Sequence, residues 1–195
     1  LPDAPGHEAG VGEPIRALLA ASDGVLWAGT ESGRVLRIHG ESSLRPGPEA
    51  QVGTGAVTSF AEDARGSVWV GVNGGGLHRI HGGAHEVLRE GAVLPGNLVR
   101  SLLVDREGNL WVGQTAAGLI RLQEGAFRWL GAPEGLSMDV ALGVLEDRRG
   151  DLWVGTPGGG LNQLSGYRDP TPRVRRWGVA DGLGADFVLS VSEAP

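Results

Sequence analysis

The sequence predicts an all-β chain, a β-propeller built from four-stranded blades, on three observations. The hexapeptide Gly-x-apolar-Trp-apolar-Gly occurs four times, beginning at Gly24, Gly66, Gly108 and Gly150, so that Trp27, Trp69, Trp111 and Trp153 stand 42 residues apart. A fixed period of this size marks a repeat architecture, and WD-type propellers use about 40 to 45 residues per blade. Within each repeat the apolar runs are short, rich in Val, Leu, Ile and Trp, and bounded by Gly, Asp or Asn, which is the signature of strands and turns. Around the tryptophan, moreover, both faces of the strand are apolar: Leu110 and Val112 project to one side and Trp111 to the other. A sheet covered on both faces needs neighbours on both sides, and blades stacked around an axis provide them.

The third repeat shows the unit most fully. Apolar runs at 98–104, 110–114, 119–122 and 127–130 are separated by polar or glycine-rich turns, which reads as an antiparallel meander of four strands. Residues 1–11 form a lead-in without periodicity. Blades are expected at 12–53, 54–95, 96–137 and 138–184, and residues 185–195 repeat the first strand of a fifth. The period slips once: Val140 corresponds to Phe187, 47 residues on, which places a five-residue insertion at about 167–172. Such a stretch of ring predicts a partial propeller or arc, whose exposed terminal strand edge favours self-association into a homo-oligomer. The first glycine of each hexapeptide closes a hairpin, where positive φ is expected. The second lies in a strand, where a missing side chain admits a neighbour.

Composition places the chain among mildly acidic globular proteins, with 41% apolar and 21% charged residues, net charge −6 and 35 glycines. All 17 basic residues are arginine. Nucleic-acid binding needs a basic stripe, and the one basic cluster, Arg173, Arg175 and Arg176, is expected to be a solvated strand face. No run long enough to span a bilayer and no signal-peptide pattern is present, so no membrane contact is expected of this segment. With no cysteine there is no disulfide, thiolate metal site or cysteine nucleophile.

The repeats resemble the two-component regulator propeller repeats of bacterial sensor proteins. The residues that carry the likeness are Asn97-Leu98-Val99 through Trp111-Val112-Gly113 in the third copy, and Glu146-Asp147 through Thr156 followed by Gly159-Gly160-Leu161 in the fourth. Departures occur at Ala20-Ala21, where the family prefers Glu-Asp, at Val72 and Gln114 in place of Thr, and at Ala116-Ala117 in the Gly-Gly turn. The resemblance implies a sensor propeller of a hybrid two-component or diguanylate cyclase regulator, in the periplasm as the extracytoplasmic part of a membrane-anchored parent. It also implies a ligand such as an oligosaccharide.

Propellers carry ligands at one channel mouth, where blade-to-blade connections and the turns between second and third strands converge. That geometry nominates Arg16, Asn73, Asn97, Arg100, Gln114, Asp139 and Asp186. Against this, Asn97, Asp139 and Asp186 each precede a strand, where Asn and Asp commonly cap turns. Arg16 and Arg100 share a column that Thr58 and Leu142 occupy in the other blades, and variation among uniform blades is where a pocket can be built. The tryptophans Trp27, Trp69, Trp111 and Trp153 are assigned to the blade core. The columns Arg37, Arg79, Arg121 and Asp63, Asp105, Asp147 recur with the fold and are assigned to structural hydrogen bonds or ion pairs.

Neither metal nor cofactor is expected. His78 and His81 project to opposite strand faces, so with His85 they form no compact ligand set. The glycine-rich turns at 73–76 and 157–160 lack the Lys-Ser/Thr of a P-loop, and the adjacent acids Glu62-Asp63 and Glu146-Asp147 alternate faces. The leading expectation is a non-catalytic sensor segment binding a carbohydrate or other small ligand. A protein-interaction scaffold and a propeller lyase or glycosidase are the alternatives.

Overall fold

Four antiparallel sheets, each a meander in which neighbours in sequence are neighbours in space, make up the computed structural model, which describes residues 13–39, 43–45, 51–88, 94–115, 117–123, 126–169 and 171–194. Blade 1 holds β1 (Ile15–Ala20), β2 (Leu26–Thr30), β3 (Val35–His39) and β4 (Ser43–Arg45). Blade 2 holds β5 (Val57–Glu62), β6 (Val68–Val72), β7 (Gly76–His81) and β8 (Ala84–Leu88). Blade 3 holds β9 (Val99–Val104), β10 (Leu110–Gln114), β11 (Gly118–Gln123) and β12 (Ala126–Leu130). Blade 4 holds β13 (Gly143–Glu146), β14 (Leu152–Gly155), β15 (Leu161–Ser165) and β16 (Arg173–Trp177). The expected lead-in at 1–11 lies outside the described residues.

The tryptophan strand is the second of each blade, and its register repeats: Trp27 faces Leu19 and Arg37, Trp69 faces Ala61 and Arg79, Trp111 faces Leu103 and Arg121, Trp153 faces Leu145 and Gln163. The turns opening the tryptophan strands carry Gly24, Gly66, Gly108 and Gly150 at φ between 74° and 84°, a conformation that L side chains rarely adopt.

The first strands of successive blades lie beside one another, β1 to β5, β5 to β9 and β9 to β13. A glycine within the tryptophan strand lets each pair close up. A Cβ at Gly113 would lie 2.3 Å from Ser101 Oγ and 2.9 Å from Ala141 O, and one at Gly71 would lie 2.6 Å from Val99 Cγ1. Three apolar clusters follow, one per seam. Trp27, Val57, Phe60 and Val70 join blades 1 and 2; Ala61, Val99, Leu110 and Val112 join blades 2 and 3; Trp111, Leu130, Leu152, Leu164 and Tyr167 join blades 3 and 4. Each fully buried aliphatic side chain contributes about 1.5–3 kcal/mol, so the seams between sheets supply most of the stabilisation.

Beyond blade 4 the chain passes a short 3-10 turn, Val179–Asp181, and lays Phe187 and Val188 along the inner edge, with a single bridge Pro157↔Phe187 and a bond from Val188 N to Thr156 O. Val188 packs where Val57, Val99 and Ala141 pack in the other seams, against the strand glycine. The segment 187–191 was expected as a strand and is not one here. A strand needs a ladder, and among the described residues no tryptophan strand of a further blade stands beside it.

Candidate functional site

A meander of four strands puts two kinds of turn at opposite ends. The turns between second and third strands, with the blade-to-blade connections, form one face of the arc, here the connection face. The hairpins joining first to second and third to fourth strands form the other, the hairpin face. All seven nominated residues lie on the connection side.

There a backbone pattern repeats. Gly74 N and Gly76 N donate to Asn97 O, Gly118 N donates to Asp139 O, and Gly158 N and Gly160 N donate to Asp186 O, at 2.8–3.2 Å. Thus the turns of blades 2, 3 and 4 are each tied to the residue that opens the connection to the following first strand. The carboxylates of Asp139 and Asp186 accept from Ala132 N at 2.6 Å and Val179 N at 2.9 Å, capping the 3-10 turns Ala132–Glu134 and Val179–Asp181. Both acids therefore hold the connections in place.

Asn73, Asn97, Arg100 and Gln114 gather where blade 2 meets blade 3. Asn73 bridges Leu98, Gln114 pairs with Val99, and Arg100 Nε donates to Thr115 Oγ1 at 2.9 Å. Gln114 is fully buried. It replaces the threonines of blades 1 and 4, where Thr30 Oγ1 accepts from Arg34 N and Thr156 Oγ1 donates to Gly160 O. The longer side chain reaches instead to Gly96 O, at 2.6 Å, and its Oε1 is buried without a donor, as is Oδ1 of Asn73. Arg16 is distant from this group: it sits exposed on blade 1 and pairs with Glu31, the residue equivalent to Thr115. So four nominated residues come together, Asp139 and Asp186 mark the next two connections, and Arg16 stands apart.

On the hairpin face the recurrent acids and arginines meet through the tryptophans. Asp63, Asp105 and Asp147 accept from the indole N–H of Trp69, Trp111 and Trp153 at 3.1, 2.8 and 2.8 Å. Arg37, Arg79 and Arg121 lie over the rings of Trp27, Trp69 and Trp111, 5.0, 5.2 and 5.9 Å from the centroids. One pair among them, Arg79 with Asp63, falls within ion-pair range, at 3.8 Å. Partial burial opposes ionisation of Asp63 and Asp147. Hydrogen bonds from Ser67, Trp69 and Arg65 to the one, and from Trp153, Asp151 and Arg149 to the other, outweigh it and hold both carboxyls below their ordinary value of 3.8.

Two features of the structure are not visible in the repeat pattern. The insertion between β15 and β16 drives Tyr167 into the seam between blades 3 and 4, fully buried and edge-on to Trp111. Burial, with the charges of Asp105 and Glu146 beside it, pushes its phenol well above the ordinary value. His78 and His85, diagonal neighbours on β7 and β8, stack with ring centroids 5.1 Å apart and share a 2.9 Å contact between ring nitrogens. No group of three or more metal-ligating side chains occurs among the described residues. Nor is any of their helices long and apolar enough to cross a membrane.

The family described as two component regulator propeller matches residues 93–115 and 135–158. Among solved structures the chain is similar to a catalytically inactive virginiamycin B lyase from Staphylococcus aureus, at 16% identity and TM-score 0.65 over 87% of this chain and 57% of that one. It is similar also to a streptogramin B lyase, at 14% identity and TM-score 0.62 over 84% of this chain and 54% of that one. A third is the extracellular domain of a putative hybrid two component system from B. thetaiotaomicron, at 18% identity and TM-score 0.54 over 90% of this chain and 32% of that one. At these identities the likeness is one of fold, and this chain spans little more than half of the lyases and a third of the sensor domain. No curated protein sequence matches it.

Proposed function

We propose that this chain, whose third and fourth repeats match the two-component regulator propeller family, is a non-catalytic sensing segment of an extracytoplasmic bacterial regulator that takes an oligosaccharide on its connection face. The observation that carries the reading is where the family match falls. Its two segments, 93–115 and 135–158, run from each connection through the first two strands of blades 3 and 4, and they contain Asn97, Arg100, Gln114 and Asp139. The half-buried side chains of Asn73 and Asn97 beside Arg100 supply the mixed donors and acceptors that sugar hydroxyls require, while Gln114, fully buried, holds the connection at Gly96. Asp139 and Asp186 are occupied in capping backbone N–H groups, which supports a structural and not an acid-base role for them. The similarity to lyases is a similarity of fold, and fold does not determine chemistry.

A panel of immobilised bacterial and plant oligosaccharides tests this. At least one should bind saturably, and Arg100→Ala should weaken that binding at least tenfold while leaving the melting temperature within about 2 °C, as for a surface substitution of under about 0.5 kcal/mol. A panel without binders, or a bound sugar indifferent to Arg100→Ala, would sink the reading.

A further inference from the structure

The three blade seams are built alike on the hairpin face, yet they are filled differently. At the seam of blades 3 and 4 the ring of Tyr167 stands edge-on to Trp111, centroids 5.2 Å apart and planes at 81°. Its hydroxyl is 3.2 Å from Glu146 Oε1 and 3.4 Å from Asp105 Oδ2. One seam back, Trp69 and Asp63 occupy the places of Trp111 and Asp105, with the same indole-to-carboxylate bond. There, among the described residues, the space beside the tryptophan is a cleft of about 560 Å³, lined by Asp63 and Trp69 with Leu88, Leu110 and Leu122, edged by Arg79 and Glu107, and reached past the exposed turn residue Ala64. That volume lies in the range of small-molecule sites, about 300–1,000 Å³.

We propose that the cleft between blades 2 and 3 is a binding site for a small phenolic molecule, its ring edge-on to Trp69 and its hydroxyl donating to Asp63. The protein already displays the bound pose in Tyr167. Edge-to-face packing on an indole and a hydrogen bond to a carboxylate are the two contacts that select a phenol over an aliphatic ligand of equal size. The acceptor has capacity left: Asp63 Oδ1 takes backbone N–H groups of Arg65 and Ser67, while Oδ2 takes the indole and has the Arg79 guanidinium at 3.8 Å, beyond hydrogen-bond range. In the filled seam the corresponding Asp105 Oδ2 holds an indole, an Asn109 amide and the phenol together. One difference sets the strength of the site. Val104 stands where Glu146 stands one blade on, so the second carboxylate that the Tyr167 hydroxyl meets has no equivalent at that position here.

The test is a titration of the 195-residue chain with 4-methylphenol, followed by the indole N–H resonance of Trp69. Saturable movement of that resonance is expected. The O-methylated analogue 4-methylanisole, which keeps the ring but cannot donate, should bind at least about tenfold more weakly, since a hydrogen bond to a charged acceptor amounts to about 1.5–3 kcal/mol. Val104→Glu, which installs the second carboxylate of the filled seam, should tighten 4-methylphenol several-fold. Ala64→Trp, at an exposed turn, should abolish binding without loss of folding and keeps the test decisive if the first variant misfolds. Absence of saturation, equal affinity for the two probes, or binding unaffected by Ala64→Trp would overturn the proposal.

Discussion

Trp111 and Trp27 occupy the same position in two copies of one repeat, and their surroundings show what the acidic column is for. Trp111 is completely buried, and its indole N–H donates to Asp105, which also holds the backbone and side-chain amides of Asn109. In blade 1 the place of Asp105 is taken by Ala21. Trp27 is nearly as buried, and its Nε1 has no hydrogen-bond partner among the described residues. The arginine stacked on the ring is common to both, so it cannot be what distinguishes them. The carboxylate's role is to receive an indole that a packed seam removes from water, and blade 1 forgoes that bond.

The largest break in the comparison comes from Asp105→Ala. It recreates the blade 1 arrangement in the middle of the arc and leaves Trp111 Nε1 and Asn109 Nδ2 buried without their acceptor. Each such group costs about 1–3 kcal/mol, so a loss of about 3 kcal/mol in urea denaturation is expected. Asp63→Ala should cost visibly less, because that carboxyl and Trp69 are only half-buried. Equal losses at the two sites would mean that burial does not set the strength of the clasp.

The reverse substitution sharpens the same point on a smaller scale. Ala21→Asp gives Trp27 the acceptor its equivalents have, and should raise stability by about 1 kcal/mol, the net contribution of one hydrogen bond. The indole N–H of Trp27 should at the same time move toward the chemical shifts of Trp69, Trp111 and Trp153. A variant that loses stability with the indole resonance unmoved would show that blade 1 has repacked around alanine.

The blade count, the meander, the hairpin glycines and the strand glycines were all legible in the sequence. Each is a local demand repeated at a fixed interval, and repetition turns a weak signal into a strong one. The partnership of Asp105 with Trp111 was only half legible. Spacing showed that acid, arginine and tryptophan columns recur, and suggested structural hydrogen bonds or ion pairs, but it did not show that the acid's partner is the tryptophan across the hairpin. The contact of His78 with His85 is a diagonal across two strands, and Tyr167 enters from an insertion that breaks the period, so no repeat statistic could point to either. On the connection face the sequence marked Asn97, Asp139 and Asp186 as residues before a strand. Only the structure shows Asp139 and Asp186 binding the turns behind them, and Gln114 reaching Gly96 because it is longer than the threonine it replaces.

Tyr167 offers the finest test, because the composition isolates it. The chain has one tyrosine, no lysine and no cysteine, so between about pH 9 and 12 it is the side chain that titrates. Burial and the neighbouring carboxylates raise its folded pKa above the ordinary 10.0. The unfolded chain therefore releases this proton first, and the contribution of Tyr167 is intact below pH 10 and is lost as pH rises toward the folded value, at about 1.4 kcal/mol per pH unit. Tyr167→Phe keeps the ring against Trp111 and should cost about 1 kcal/mol at pH 7, but its stability should stay flat from pH 9 to 11 while that of the parent falls. Tyrosinate absorbance should appear in the parent together with unfolding, not before it. If it appeared at pH 10 in the folded protein, the phenol would be open to solvent, and the seam between blades 3 and 4 would be no more filled than the one beside it.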